Sequence, residues 1–264
     1  MRYFFSPEGQ QALIEIVAKR PLLAFDFDGT LAPIVPKPDD ARLSLAVAER
    51  LRLLSLQLPV AIVTGRTIAD VRARLHFNPQ YIVGSHGAED NLEPAGATIL
   101  ASALEPLRAA LRLSQEALSS AGVTVEDKTQ SIALHYRLAR RRDTAKALID
   151  TVLHPFALEL HVFAGKMVVN AVARGAPDKA VAVKRLVGRS GVASVLFAGD
   201  DVNDEPVFVD AEADWLTVRV GRGVAASKAK FFVDGPQDMA MLLEALLLQL
   251  GGSRPTATPT PATV

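Results

Sequence analysis

The stretch PLLAFDFDGTLAPIV (residues 21–35) decides how this chain is read. Leu22 to Phe25 form an unbroken apolar run that stops at Asp26, and Gly29-Thr30 supply a turn just after a second carboxylate, Asp28. A short apolar run bounded by a turn signal predicts a strand buried on both faces. Side chains alternate along an extended chain, so Asp26 and Asp28 project to one side at the strand's carboxyl end. Two like charges that close repel unless something positive stands between them. A metal ion, a lysine or a proton shared for acid–base work would serve; a surface Asp-Gly turn is the bland alternative.

Working outward, similar apolar runs precede Thr64 (VAIV), Gly84 (YIV) and Asp200 (SVLFAG). Between the first two runs Leu43, Val47, Leu51 and Leu54 mark a helical face, and IADVRARL predicts another helix after Thr64. Buried strands alternating with helices predict a parallel α/β sheet with right-handed crossovers. Ligands of such sheets bind beyond the carboxyl ends of the strands, where each of these runs places its polar residues. From about residue 100 to 173 the pattern changes to helix–strand–strand, twice over, with hairpin-length turns at DKTQ and AGK. That predicts an antiparallel sheet with helices on one face, inserted into the first unit as a movable cap. The expected organisation is therefore α/β: a Rossmann-like parallel-sheet core (1–99 and 174–250) with an inserted α+β cap domain (100–173). Leu242, Leu243, Leu246, Leu247 and Leu250 predict a packed helix, and the Pro/Thr-rich stretch 251–264 predicts a disordered tail.

The totals exclude several classes. The chain has 264 residues, 49% of them apolar and 22% charged, enough for a sizeable core. Lys+Arg and Asp+Glu balance at 29 each, so no global field recruits nucleic acid or an anionic membrane. There is no cysteine, hence no disulfide, thiolate ligand or thiol nucleophile. The apolar segment MAMLLEALLLQL is too short to span a bilayer, and the N-terminus lacks signal-peptide features. A cytoplasmic location is expected, without nucleic-acid or membrane partners.

The chemistry concentrates at two acidic strand ends. FAGDDVNDE sets Asp200, Asp201, Asp204 and Glu205 behind an apolar run, and with Asp26 and Asp28 it favours a hard cation held by oxygens. Thr64 offers a hydroxyl for a phosphoryl oxygen, although a threonine before a helix is more often an N-cap. Lys179 stands at a predicted helix start, the electrostatically unfavourable end for a cation.

Asp26-Phe27-Asp28-Gly29-Thr30, Thr64, Lys179 and Gly199-Asp200-Asp201 with Asp204 resemble, in order, the four motifs of the haloacid dehalogenase-like phosphatase superfamily. The resemblance implies Asp26 as nucleophile, Asp28 as general acid and base, and Mg²⁺ held by Asp26, the Asp28 carbonyl and Asp200. It implies that Thr64 and Lys179 bind the transferring oxygens, with Asp201 and Asp204 in support. VGSHGAE (83–89) and VEDKTQSIALHYR (125–137) resemble segments of trehalose-6-phosphate phosphatases. A sugar-phosphate substrate follows, with Gly65, Arg66, His86, Glu126, Lys128, His135, Arg137, Lys166 and Asn170 as the expected substrate-binding set. Asn170 stands where that family usually has glutamate, Asn203 where it often has threonine, and Ala180 where glycine is common. Two alternatives stay open: a phosphatase of sucrose phosphate, a glycosyl-phosphoglycerate or a hexose phosphate, and a non-catalytic module partnering a trehalose-phosphate synthase.

Overall fold

The computed structural model describes residues 1–93, 96–222 and 227–252. The stretch 253–264, most of the expected tail, lies outside the described residues; Gly251 and Gly252 instead finish the last helix, Met239–Gly252.

An eight-stranded sheet forms the core, in the spatial order Arg2–Tyr3, Phe231–Val233, Leu216–Val220, Val195–Gly199, Leu22–Phe25, Val60–Val63, Tyr81–Gly84, Glu89–Asp90. All pairs are parallel except the last. All four predicted core strands are present. Four others were not announced by the apolar runs: two are two-residue edge pieces, Phe231–Val233 is short, and Leu216–Val220 carries an arginine. The Leu22–Phe25, Val60–Val63 and Val195–Gly199 strands have no exposed residue, because helices cover both faces.

On one face Leu23, Phe25, Ile62 and Leu196 pack with Val47, Leu51 and Leu54 of the Leu45–Ser55 helix and with the last helix. Leu242, Leu243 and Leu246 of that helix are fully buried, each contributing roughly 1.5–3 kcal/mol relative to exposure. On the opposite face Leu22, Ala24, Ala61 and Phe197 pack against Val183 and Leu186 of the Lys179–Ser190 helix. Local signals set the helix starts: Ser44 and Thr67 accept from Val47 and Asp70 main-chain N–H groups, and Asp178 from Val181.

A second sheet, antiparallel, runs Thr124–Asp127, Ser131–His135, Val168–Ala173, Leu160–Gly165. The sequence pattern from 103 to 120 reads as one helix, but Ser114 separates two, Glu105–Leu113 and Gln115–Ser120. With Arg142–Leu153 they cover one sheet face, where Leu107, Leu111, Ile132, Leu134, Ile149 and Val169 form a separate apolar cluster. Strand alternation turns Glu126, Ala133, Asn170 and Phe163, which lie in one cross-strand row, to the other face. That face meets the core.

Candidate active site

Three adjacent strands end in the residues that matter. Asp26 follows Leu22–Phe25, Thr64 follows Val60–Val63 on one side, and Asp200 follows Val195–Gly199 on the other. Parallel register aligns these ends: Phe25 pairs with Ala198 and with Ile62, and the Asp26 N–H donates to the Ala198 carbonyl at 2.9 Å. Gly29 brings the first loop against the third strand. Its φ of +85° suits glycine, and a Cβ there would lie 2.2 Å from Asp200 Oδ2.

The two carboxylates of the opening motif have separate counter-ions. Asp26, 5% exposed, accepts from Lys179 Nζ at 2.7 Å through Oδ1. Asp28 is gripped on both oxygens by the Arg66 guanidinium, at 2.6 and 2.7 Å. Phe27 between them is fully buried, in a turn beyond the end of the strand at Phe25, where its carbonyl accepts from the Leu31 and Ala32 N–H groups. Lys179, 3% exposed, also donates to Asp204 Oδ1 at 2.7 Å. This placement explains a lysine at a helix start: its partners are two buried carboxylates, not the helix dipole. Burial alone would lower the Lys179 pKa, but Asp204 and Asp26 overcome it and push the pKa above the ordinary value. Burial pushes Asp26 well up, Lys179 opposes that, and Asp204 and Asp200 add to it. Asp200 is raised to about 6 by burial, against the pull of Lys166, with Asp204 and Asp201 reinforcing the rise.

The acidic loop is built around Asp204. Its Oδ2 accepts from the main-chain N–H groups of Asp200 and Asp201, both at 2.9 Å. A Cβ on Gly199 would strike the Asp204 side chain at 2.3–2.6 Å, so glycine at this strand end lets that carboxylate approach the backbone. Asp26, Asp200 and Asp204 bring one carboxylate oxygen each within 4.8 Å of one another, all in buried residues. Of the three, Asp204 has both oxygens committed to donors. Asp200 Oδ1 is buried with no partner. An orphaned carboxylate oxygen beside a second carboxylate suits a hard, oxygen-seeking cation, so these residues fit a divalent metal. Asp28 does not bring its side chain to this cluster.

Thr64 is fully buried and its Oγ1 accepts from the Arg66 N–H at 3.2 Å. The loop is braced from outside: His86 N donates to Thr64 O and Ser85 N to Arg66 O. Ser85 and His86 hold φ of +49° and +60°, a conformation costing on the order of 1–3 kcal/mol per non-glycine residue and concentrated at functional sites. The His86 ring lies over Gly65, where a Cβ would come within 2.4 Å of it, and edge-on to Phe163 at 5.1 Å. Burial, then the charges of Lys179 and Lys128, push the His86 pKa well below its usual value. Its Nδ1 is buried without a partner.

The cap supplies the remaining expected residues. His135 Nε2 and Glu126 Oε2 are 2.8 Å apart, and Lys128 Nζ lies 3.6 Å from the same oxygen. The His135 hydrogen bond, then burial acting in opposition, then Lys128, leave the Glu126 pKa lowered. Lys128 Nζ also donates to the Gly65 carbonyl at 3.1 Å, tying cap to core beside Thr64. Lys166, at a hairpin tip, donates to Asp200 Oδ2 rather than standing with Glu126. Arg137 is spent on main-chain carbonyls, Val35 at 3.2 Å and Lys166 at 3.4 Å. Asn170 is 4% exposed in the cross-strand row with Glu126. Asp201, on the core loop after Val195–Gly199, lies against the hairpin tip, its Oδ2 3.4 Å from where a Gly165 Cβ would be.

Arg219 is the site residue that sequence reading missed. It is buried on Leu216–Val220, donating to the Asp200 carbonyl at 3.0 Å and to Glu205 Oε1 at 2.6 Å. The available signal was a lone arginine inside the apolar run LTVRV, since a buried guanidinium needs partners.

This sheet with its antiparallel cap is the haloacid dehalogenase-like fold. A haloacid dehalogenase-like hydrolase from B. subtilis matches at TM-score 0.59 and 17% identity, over 84% of this chain and 98% of that one. The C-terminal domain of C. albicans trehalose-6-phosphate phosphatase matches at TM-score 0.75 and 22% identity, over 92% and 96%. The trehalose-phosphatase family model matches residues 24–237, and the chain belongs to that family. Two relatives from Mycobacterium tuberculosis are similar in sequence. One, a trehalose-phosphate phosphatase, is 33% identical over 262 residues, covering 92% of this chain and 66% of the relative. The other, an uncharacterized glycosyl hydrolase, is 34% identical over 250 residues, covering 89% of this chain and 19% of the relative. The chain thus spans about a fifth of one relative and just under two thirds of the other.

Proposed function

We propose that this chain is a phosphatase that hydrolyses trehalose 6-phosphate to trehalose and inorganic phosphate through an aspartyl-phosphate on Asp26. One observation carries the reading: a buried carboxylate at the end of a core strand, held at 2.7 Å by a buried lysine and flanked by Asp200 with an unpartnered oxygen. An Asp26 oxygen attacks phosphorus as the P–O bond to the sugar breaks, and Asp28 gives its proton to the leaving oxygen. Asp28, now ionised, takes a proton from water, whose oxygen attacks phosphorus and releases Asp26 and phosphate. Lys179 holds Asp26 and neutralises charge on the phosphoryl oxygens, and Thr64 donates its hydroxyl to one of them. Mg²⁺ is the divalent ion we assign to Asp26, Asp200 and the Asp28 carbonyl, where a bound metal supplies Lewis-acid neutralisation of the phosphoryl group.

We take residues 100–173 as the specificity cap. Glu126, Lys128 and His135 offer the mixed acceptors and donors that sugar hydroxyls require, and Asn170 stands in their row. The family membership and the relative from M. tuberculosis favour trehalose 6-phosphate over other sugar phosphates. The retained Asp26, Asp28, Lys179 and Asp200 weigh against a non-catalytic partner of a trehalose-phosphate synthase. We place the reaction in the cytoplasm; no helix among the described residues is long and apolar enough to cross a membrane.

Phosphate release from trehalose 6-phosphate, glucose 6-phosphate and sucrose 6-phosphate, with Mg²⁺ and with EDTA, tests this. Preference for trehalose 6-phosphate abolished by EDTA is expected. Metal-dependent turnover of a different ester reassigns the substrate, and no turnover of any ester by folded protein removes the enzyme reading.

A further inference from the structure

Both oxygens of Asp28 are occupied by one guanidinium, that of Arg66, in a fork-to-fork pair at 2.6 and 2.7 Å. Such a pair fixes the plane as well as the position of a carboxylate. Arg66 is itself immobilised: its side chain is only 8% exposed, its third nitrogen donates to Asp70 Oδ2 at 2.6 Å, and its Cζ lies 5.4 Å from the centre of the Phe27 ring. Asp70 in turn accepts on its other oxygen from Arg74, which is tied to the Asp39 carbonyl at 2.8 Å. A chain of ion pairs thus runs from the wall of the core to Asp28, which is 40% exposed at its open end.

We propose that Arg66 is a positioning residue acting through Asp28, not a ligand of the sugar, and that Asp70 holds Arg66 in the plane that does so. The inference rests on the reading of Asp28 as the acid that protonates the leaving oxygen. While Arg66 holds both oxygens, neither is available to a leaving group. The acid works only once one oxygen swings free and takes up a proton from solvent, to which Asp28 is 40% exposed, with the other oxygen still held; the fork of Arg66 defines that pivot. A lysine cannot substitute, because a single ammonium gives one point of contact and no plane.

Leaving-group dependence separates positioning of the acid from binding and from folding. The ester bond of p-nitrophenyl phosphate breaks with little need of a proton, whereas the alcohol of trehalose 6-phosphate needs one. The ratio of kcat/KM for the two substrates therefore reads the acid step together with any sugar contact that p-nitrophenyl phosphate lacks, and a loss in kcat rather than a rise in KM assigns the shift to the acid. Asp28→Ala calibrates the assay and should shift the ratio by about 100-fold or more against trehalose 6-phosphate. Arg66→Lys and Asp70→Asn should shift it about 10-fold in the same direction. Asp70→Asn keeps the size of a side chain remote from substrate, so it carries the test if Arg66→Lys fails to fold. Equal losses on both substrates in the folded variants would make the network merely structural and overturn the proposal. A raised KM for trehalose 6-phosphate with kcat and the Asp70→Asn ratio unchanged would make Arg66 a substrate ligand, overturning it too. An unshifted ratio in Asp28→Ala would instead remove the acid reading, and the inference with it.

Discussion

The core site and the cap face use the same residue types but hold them differently. In the core, Lys179 sits between Asp26 and Asp204, with all three side chains at most 7% exposed. On the cap, Glu126 faces His135 and Lys128 with its side chain 45% exposed. A buried charge has no water to fall back on, so removing one partner leaves the others unpaired and expensive. A half-exposed group recovers hydration when its partner leaves. The core site should therefore couple chemistry to folding, whereas the polar face of the cap should tolerate substitution at little cost in stability.

The strongest test of that contrast is Lys179→Met. It should abolish phosphate release and, by leaving two carboxylates buried together, lower unfolding free energy by about 3–5 kcal/mol in a urea titration. Asp26→Asn should also abolish turnover, while its neutral amide keeps the fold; full activity in that variant would sink the aspartyl-phosphate route. The matching cap change, Glu126→Gln, should raise KM for trehalose 6-phosphate about tenfold while moving stability by less than about 1 kcal/mol. A loss of stability as large as that of Lys179→Met would erase the distinction between the two regions.

His86 sits at their junction and gives a prediction in pH. Its folded pKa lies well below the usual 6.5, first because burial disfavours the charged ring and then because Lys179 and Lys128 are near. Below pH 6.5 the unfolded chain takes up a proton that the folded chain does not, so stability is full above that pH and falls beneath it. The limiting slope from this group is about 1.4 kcal/mol per pH unit. Melting curves from pH 8 to pH 5 should show His86→Asn losing less stability on acidification than the parent protein, and parallel curves would place the titration elsewhere. The smallest effect is expected from Arg137→Ala, which removes two contacts to main-chain carbonyls and should change KM by about threefold or less.

Much of the core site was legible because its signals are local. An apolar tetrad ending in Asp-x-Asp-Gly, and another ending in Gly-Asp-Asp, state strand, strand end and acidic cluster within a few residues. The cap strands were equally plain, since period-two patterns and turn-length gaps need no distant partner. What sequence spacing does not show is which charge stands opposite which. Lys166 was grouped with the sugar-binding set, yet its ammonium lies on Asp200, 34 residues away. Arg66 was read as substrate-binding but grips Asp28, 38 residues away. Arg219 was not read at all, because its strand lacks a catalytic motif and its role comes from the carbonyl of a neighbouring strand end.

By itself, then, the sequence determined the class of fold, the strand ends that carry acidic groups and the candidate residues for phosphoryl chemistry. The first two follow from short-range alternation and turn chemistry; the third rests on the resemblance of four motifs to a phosphatase superfamily. Tertiary structure alone decided the pairing of charges: Lys179 with Asp26 and Asp204, Arg66 with Asp28, Lys166 with Asp200. The physical reason is that a charge chooses its partner by distance and burial in three dimensions. Parallel strand pairing sets those distances between segments that sequence spacing leaves far apart.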